Sequence, residues 1–431
     1  MPEPAPGVSD VLQAKPGDRV TIKGWVASKS VVGGLAFLTL RSGAGTIQLT
    51  AKRQTLGAER FSRFSQLNVE SAISVTGTVR EDPRAPFGRE VAVEDFYVIA
   101  DAEPWPVTKS SLRSPSFIWD KRHLTIRGPR STAIAKIRST LFKAAFDFFT
   151  QRGFVFITAP LLVKNAVEGG ATLFEVDYFG DTVFLSQSAQ LYEEAAIASL
   201  EKVFVIQPAF RAEKSRTPKH LTEFWMIEAE MAFATQEENM ALQEELVCFL
   251  YNQILKERER ELAVLGRKLK PLEPPFPRIT YDEAREIAES EGVGFPWGDD
   301  LPTQAERAIS KRFDRPFFVT GYPLSARSFY HLTSEENPEV TLSADLMAPE
   351  GYGEIATGGQ RIHDYRLLEE RIKKQDLPPE SFTWYLELRR YGMPPHAGFG
   401  LGVERFLRWV CGVRHIRETT LFPRTPARVT P

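Results

Sequence analysis

Cysteine is nearly absent from this 431-residue chain, which carries only Cys248 and Cys411. So few thiols supply no disulfide framework, and a reducing cytoplasm is the expected compartment. No apolar run reaches membrane-spanning length. The opening MPEPAPGVSD has neither the basic start nor the apolar middle of a secretion signal. An excess of one charge is also missing. Lys+Arg 54 against Asp+Glu 56 leaves a formal net charge of −2, so any nucleic-acid contact has to use local basic patches rather than a cationic coat. The chain further lacks a G-x-x-x-x-G-K-[ST] phosphate loop, an H-E-x-x-H zinc motif and a C-x-x-C pair.

What is present divides in two. Short alternating segments separated by glycines predict strands at Arg19–Val26, Leu35–Arg41, Thr46–Thr50, Ala72–Val79 and Glu90–Ile99. Five such strands in residues 1–103 suit a small closed barrel of the oligonucleotide/oligosaccharide-binding (OB) type, with a ligand-free β-barrel as the plain alternative. Residues 104–131 read as a hinge. The hinge is rich in proline and serine at first, then basic at Lys109, Arg113, Lys121, Arg122, Arg127 and Arg130. From residue 132 to 431, strands cluster between long helices without strict alternation. That pattern favours an α+β domain with a mixed or antiparallel sheet.

Three stretches hold more polar chemistry than a core requires. Phe210–Trp225 (FRAEKSRTPKHLTEFW) places Arg211, Lys214, Arg216, Lys219 and His220 between two strand-like segments, as a polyphosphate-wrapping loop would, with Phe224 offering a face to a base. Asp345–Arg361 supplies Asp345, Glu350 and Glu354 as hard oxygen ligands among glycines, and Arg361 as a partner for a carboxylate or amide oxygen. Phe399–Arg408 sets Arg405 at the start of an apolar helix, as a surface charge or a nucleotide clamp.

Together these stretches resemble the signature motifs of class II aminoacyl-tRNA synthetases, in the subclass handling aspartate, asparagine and lysine. Phe210–Trp225 is similar to motif 2, Gly398–Phe406 (GFGLGVERF) to motif 3, and Arg152–Pro160 (RGFVFITAP) to the dimer-forming motif 1. Val167–Val176 resembles the mobile loop over the amino acid, and Gly24–Leu49 the anticodon-binding barrel. The resemblance implies an N-terminal five-stranded OB-type barrel followed by an antiparallel sheet flanked by helices, a homodimer, ATP as a substrate and Mg²⁺ as the metal ion. It further implies that Arg211 holds the α-phosphate, Phe224 stacks under adenine, and Arg405 covers its other face and the γ-phosphate, with Glu213 and His220 completing the ATP loop. Asp345, Glu354 and Thr357 would organise Mg²⁺; Glu168, Ser188 and Gln190 would hold the α-amino group. On the barrel, Phe37 and Gln48 would stack on and read the central anticodon base, with Lys29 and Arg41 adding affinity.

Glu193 separates the amino acids of the subclass. Aspartate members usually carry a lysine there, three residues after the glutamine of Q-S-x-Q, and an anion at that place penalises a substrate carboxylate. Arg361 can donate to an amide oxygen. The implied substrates are therefore asparagine and tRNA(Asn), with aspartate and tRNA(Asp) as the alternative. An amide-forming enzyme independent of tRNA is disfavoured by the complete barrel. An inactive tRNA-binding chain is disfavoured by the intact Arg211, Glu354, Arg361 and Arg405 set.

Overall fold

A computed structural model describes residues 8–85, 88–164, 167, 172–215 and 217–431. Glu168, expected at the substrate amino group, and Arg216 of the basic loop lie outside the described residues. The chain divides into two compact units, residues 1–117 and 118–431. No described helix is long and apolar enough to cross a membrane.

In the first unit, β1 (Arg19–Val32), β2 (Leu35–Ser42), β3 (Gly45–Lys52), β4 (Ala72–Glu81) and β5 (Arg89–Ala100) close a barrel in the order β1-β2-β3-β5-β4. All its pairings are antiparallel except β3 with β5. Period-two alternation sends Ala36, Leu38 and Leu40 into the core and leaves Phe37, Thr39 and Arg41 on the outer face. Gly24 is needed for a close approach, since a Cβ there would sit 2.3 Å from the Arg41 carbonyl oxygen. The helix Ala58–Gln66, not anticipated from the sequence, buries Phe61 and Phe64 in the barrel core.

The second unit is built on an eight-stranded sheet. Its strands are β6 (Val155–Phe156), β10 (Lys202–Phe210), β11 (Glu223–Ala232), β12 (Arg278–Thr280), β13 (Phe317–Thr320), β14 (Ser343–Ala348), β15 (Gly353–Gln360) and β16 (His396–Gly402). A separate small sheet holds β7 (Leu162–Val163), β8 (Glu175–Tyr178) and β9 (Asp181–Leu185). The large sheet runs β12-β13-β14-β15-β16-β11-β10-β6, antiparallel throughout its middle, with parallel pairs only at the two edges. The helices Pro129–Gln151 and Gln236–Glu257 contribute Ile137, Leu141, Phe148, Leu246, Leu250 and Ile254 to one core with Ile227, Ala229, Phe399 and Leu401 of the sheet. Alternation on β11 then turns Met226, Glu228 and Glu230 to a cleft.

Three expectations change. Residues 118–131, expected within the hinge, belong to the second unit. There Arg122 is buried, stacks on Trp119 and donates to the carbonyls of Thr420 and Leu421, so its charge holds the chain rather than a polyanion. Helical periodicity predicts one long helix over Glu237–Arg267, but the chain breaks at Arg258 into Gln236–Glu257 and Glu259–Leu265. The acidic, glycine-rich stretch Asp345–Arg361 is the β14–β15 hairpin. Its glycines hid the strand: Cβ atoms at Gly358 and Gly359 would lie 2.5 Å from Phe399 Cβ and 2.4 Å from His331 Nδ1.

Glycines also explain motif 3. The register sets Gly398 opposite Glu230, Gly400 opposite Glu228 and Gly402 opposite Met226, and the first two glycines leave room for β11 side chains: a Cβ on Gly400 would lie 2.6 Å from Met226 Cε. A Cβ on Gly398 would lie 1.9 Å from Glu230 Oε2 and 2.4 Å from the Ala229 carbonyl oxygen. Gly398→Ala is accordingly expected to destabilise the protein by more than about 2 kcal/mol, measured by urea unfolding. An unchanged midpoint would contradict this packing.

Candidate active site

The cleft over the sheet has a volume of about 510 Å³ and joins two differently charged halves. In the first, the loop between β10 and β11 brings Arg211, Glu213 and His220 to the rim, and Phe224 joins them from the start of β11. Glu354 and Thr357 rise from β15, and Arg405 from the helix Val403–Val410 that follows β16. The Arg211 guanidinium lies 5.4 Å from the Phe224 ring, and its Nε has no hydrogen-bond partner among the described residues. Arg405 donates to Glu354. Burial opposes the charge of Glu354, but Arg405, Lys219, Arg327 and Arg211 overcome it and hold the carboxyl down at about 2. The Thr357 hydroxyl donates to Glu354 at 3.2 Å and to Asp345 at 2.8 Å.

Asp345 itself is buried and is not among the residues lining the cleft; Arg327 holds it at 2.7 Å. Lys219 forms a buried ion pair with Glu306 of the helix Thr303–Ser310, and the other oxygen of Glu306 accepts the Glu354 backbone N–H at 3.1 Å. Sequence reasoning passed over that helix, where a single glutamate reads as a surface charge. His220 Nδ1 meets the hydroxyls of Thr217 and Ser215 at 2.6 and 3.0 Å. Burial, joined by the charges of Arg405 and Lys219, pushes this imidazole down to about 3 and keeps it neutral.

The second half is lined by Ser188, Gln190, Glu193, Glu228, Glu230 and Arg361. Ser188 donates to Glu228, whose second oxygen accepts the Ala189 N–H at 3.0 Å. Arg361 makes a buried two-point pair with Glu230 at 3.0 and 3.1 Å. Gln190 donates at 3.0 Å to the fully buried Glu194, which also accepts from Tyr385, Arg389 and His396. Burial works against the Glu194 charge, and Arg389 with His396 reverses it, holding the carboxyl well below its usual range. Glu194, Glu230 and His396 lie close enough to hold a metal, but guanidiniums already occupy both carboxylates. Glu228 and Glu230 were not singled out from the sequence. Their signal is two acids at i and i+2 within the apolar run from Phe224 to Ala232, which places both on one face.

On the barrel, Phe37 pairs across from Thr50 and Gln48 from Thr39, so both occupy one outer face. Gln48 donates to Glu90 at 3.0 Å. Arg41 is bound at two points by Glu70, each at 2.7 Å, and Lys29 donates to the Leu67 carbonyl at 2.7 Å. The structure thus uses both cations to hold the segment after the Ala58–Gln66 helix.

Residues 114–426 match the family described as tRNA synthetases class II (D, K and N), and residues 20–99 match an OB-fold nucleic acid binding domain. The chain belongs to the class II tRNA synthetases of this D, K and N group. Among its relatives in the family, the asparagine–tRNA ligase of Pelotomaculum thermopropionicum is 46% identical over 96% of this chain and 97% of its own. That of Pyrococcus furiosus is 46% identical over 98% of both. The crystal structure of asparaginyl-tRNA synthetase from Pyrococcus horikoshii complexed with asparaginyl-adenylate superposes with a TM-score of 0.96, at 45% identity over the whole of both chains.

A neutral His220 in this synthetase has a consequence for stability. The unfolded chain takes up a proton near the ordinary histidine pKa of about 6.5, while the folded one resists until far lower pH. Folding stability therefore falls as pH drops from about 6.5 toward about 3. His220→Gln should flatten that fall, so the difference between wild type and variant in guanidinium unfolding should change over this window. A constant difference would show that His220 titrates freely.

Proposed function

We propose that the chain is an asparagine–tRNA ligase, which activates asparagine with ATP and transfers it to the 3′-terminal ribose of tRNA(Asn). The observation carrying this reading is the continuity of the cleft: a cationic half fitted to a polyphosphate opens onto a carboxylate-lined half fitted to an amino acid. The asparagine–tRNA ligases aligned along nearly the full chain support it.

In the first step an oxygen of the asparagine α-carboxylate attacks the α-phosphorus, the bond to the bridging oxygen breaks, and pyrophosphate leaves. In the second, the ribose 3′-hydroxyl attacks the acyl carbon and AMP departs. Neither step uses a covalent protein nucleophile; rate comes from alignment and from neutralising developing charge. Arg211 holds the α-phosphate, Phe224 and Arg405 sandwich adenine, and Arg405 also meets the γ-phosphate, beside Glu213 and His220. Glu354 and Thr357, backed by Asp345, are an all-oxygen donor set that suits Mg²⁺, which when bound supplies further neutralisation of the phosphates. Ser188, Gln190 and Glu228 take the α-ammonium, and Arg361 donates to the side-chain amide oxygen.

Phe37 and Gln48 read the anticodon on the barrel face, while Lys29 and Arg41 position the loop beside it. The motif 1 region leaves Phe146, Val155 and Phe156 each about two-fifths exposed on the edge strand and its neighbouring helix, a surface suited to a second copy of the chain. The cytoplasm suits two unpaired cysteines.

Arg211→Ala and Arg405→Ala should each lower asparagine-dependent ATP–pyrophosphate exchange by at least about a thousandfold while thermal unfolding stays cooperative. Retained exchange in a folded variant would remove that arginine from the mechanism. Phe156→Asp should convert a dimer to monomer in light scattering; a wild type that is already monomeric would overturn the dimer.

A further inference from the structure

Four carboxyl groups crowd the amino-acid half of the cleft, and three have their oxygens engaged. Glu194 accepts from Gln190, Tyr385, Arg389 and His396. Glu228 accepts from Ser188 and the Ala189 N–H, and Glu230 faces Arg361 with both oxygens. Glu193 differs. It lines the cleft, is 1% exposed, and its Oε1 has no hydrogen-bond partner among the described residues. A buried acceptor left unsatisfied is costly, and in a binding cleft it points to a donor brought by the substrate.

We propose that Glu193 selects the substrate side chain: its unpartnered oxygen receives an N–H of the asparagine amide while Arg361 donates to the amide oxygen, and a carboxylate side chain is refused. This rests on the asparagine reading above and assigns the selection to one residue. The charge inventory supports it. Two guanidiniums, Arg361 and Arg389, face the four carboxyl groups, and the substrate ammonium adds a third cation. Burial, with Glu228 and Glu230 as like charges and Arg361 acting the other way, raises Glu193 well above the usual carboxyl range, and Glu194 adds to the effect. The site therefore disfavours charge on Glu193, and it disfavours a further anion beside Glu193 for the same reason. Aspartate would add a buried negative charge with no cation left to meet it.

ATP–pyrophosphate exchange with asparagine and with aspartate tests this on Glu193→Gln, Glu193→Leu and Glu193→Lys, each checked by thermal unfolding. The uncharged isostere Glu193→Gln should keep the asparagine KM within about threefold. Glu193→Leu, which removes the acceptor, should raise it by about tenfold or more with the KM for ATP unchanged. Glu193→Lys should move the asparagine-to-aspartate ratio toward aspartate by about a hundredfold. Unchanged asparagine KM and ratio in folded Glu193→Leu would overturn the assignment, as would an equal loss in Glu193→Gln. A wild type that activates aspartate rather than asparagine would instead overturn the asparagine reading itself.

Discussion

The buried pair between Arg361 and Glu230 is the constraint around which the catalytic unit is arranged. Desolvating two charges is tolerable only when their geometry is good and the surroundings leave space for it, and removing one partner of such a pair typically costs about 3–5 kcal/mol. Here the space comes from Gly398, whose missing Cβ lets β16 run beside the Glu230 carboxylate. Gly359, paired with Gly398 on β15, leaves room for His331. Gly359 and Gly398 are thus demanded by polar or charged neighbours rather than by turns, and the acids on the cleft face of the sheet depend on the bareness of the strands beside them.

The same economy of partners recurs across the cleft. Glu194 accepts from Gln190 on its own helix, from Thr383–Arg390 and from β16, and so ties the residue expected at the substrate amine, Gln190, to two further elements. On the nucleotide side, Glu306 links the motif 2 lysine to the backbone of Glu354. Each half is therefore held by a buried carboxylate that joins separate elements and is not itself the group offered to substrate. Reactive geometry maintained by such supporting partners is what positional catalysis requires.

Charge also distinguishes the halves. Around Glu354, four cations hold the carboxyl ionised, which suits a site built for phosphates and a divalent ion. Around Glu193 the balance runs the other way, and burial among carboxylates raises it. Two glutamates in one cleft are thereby pushed in opposite directions, as expected when environment rather than residue type sets the pKa.

The sequence by itself determined the two-part organisation, the five-stranded barrel, and the three stretches that form the cleft, because strand alternation and motif spacing are local properties of the chain. Arg211, Phe224, Glu354, Arg361 and Arg405 were legible for that reason. Only the tertiary structure decided the rest. It showed that β15 is a strand, that Arg122, Lys29 and Arg41 have their charges engaged within the protein, and that Glu228, Glu230 and Glu306 belong to the cleft. Burial and partnership arise between segments tens to hundreds of residues apart, so the same glutamate can be a solvated charge, a supporting acceptor or an open one. Local pattern carries no record of which.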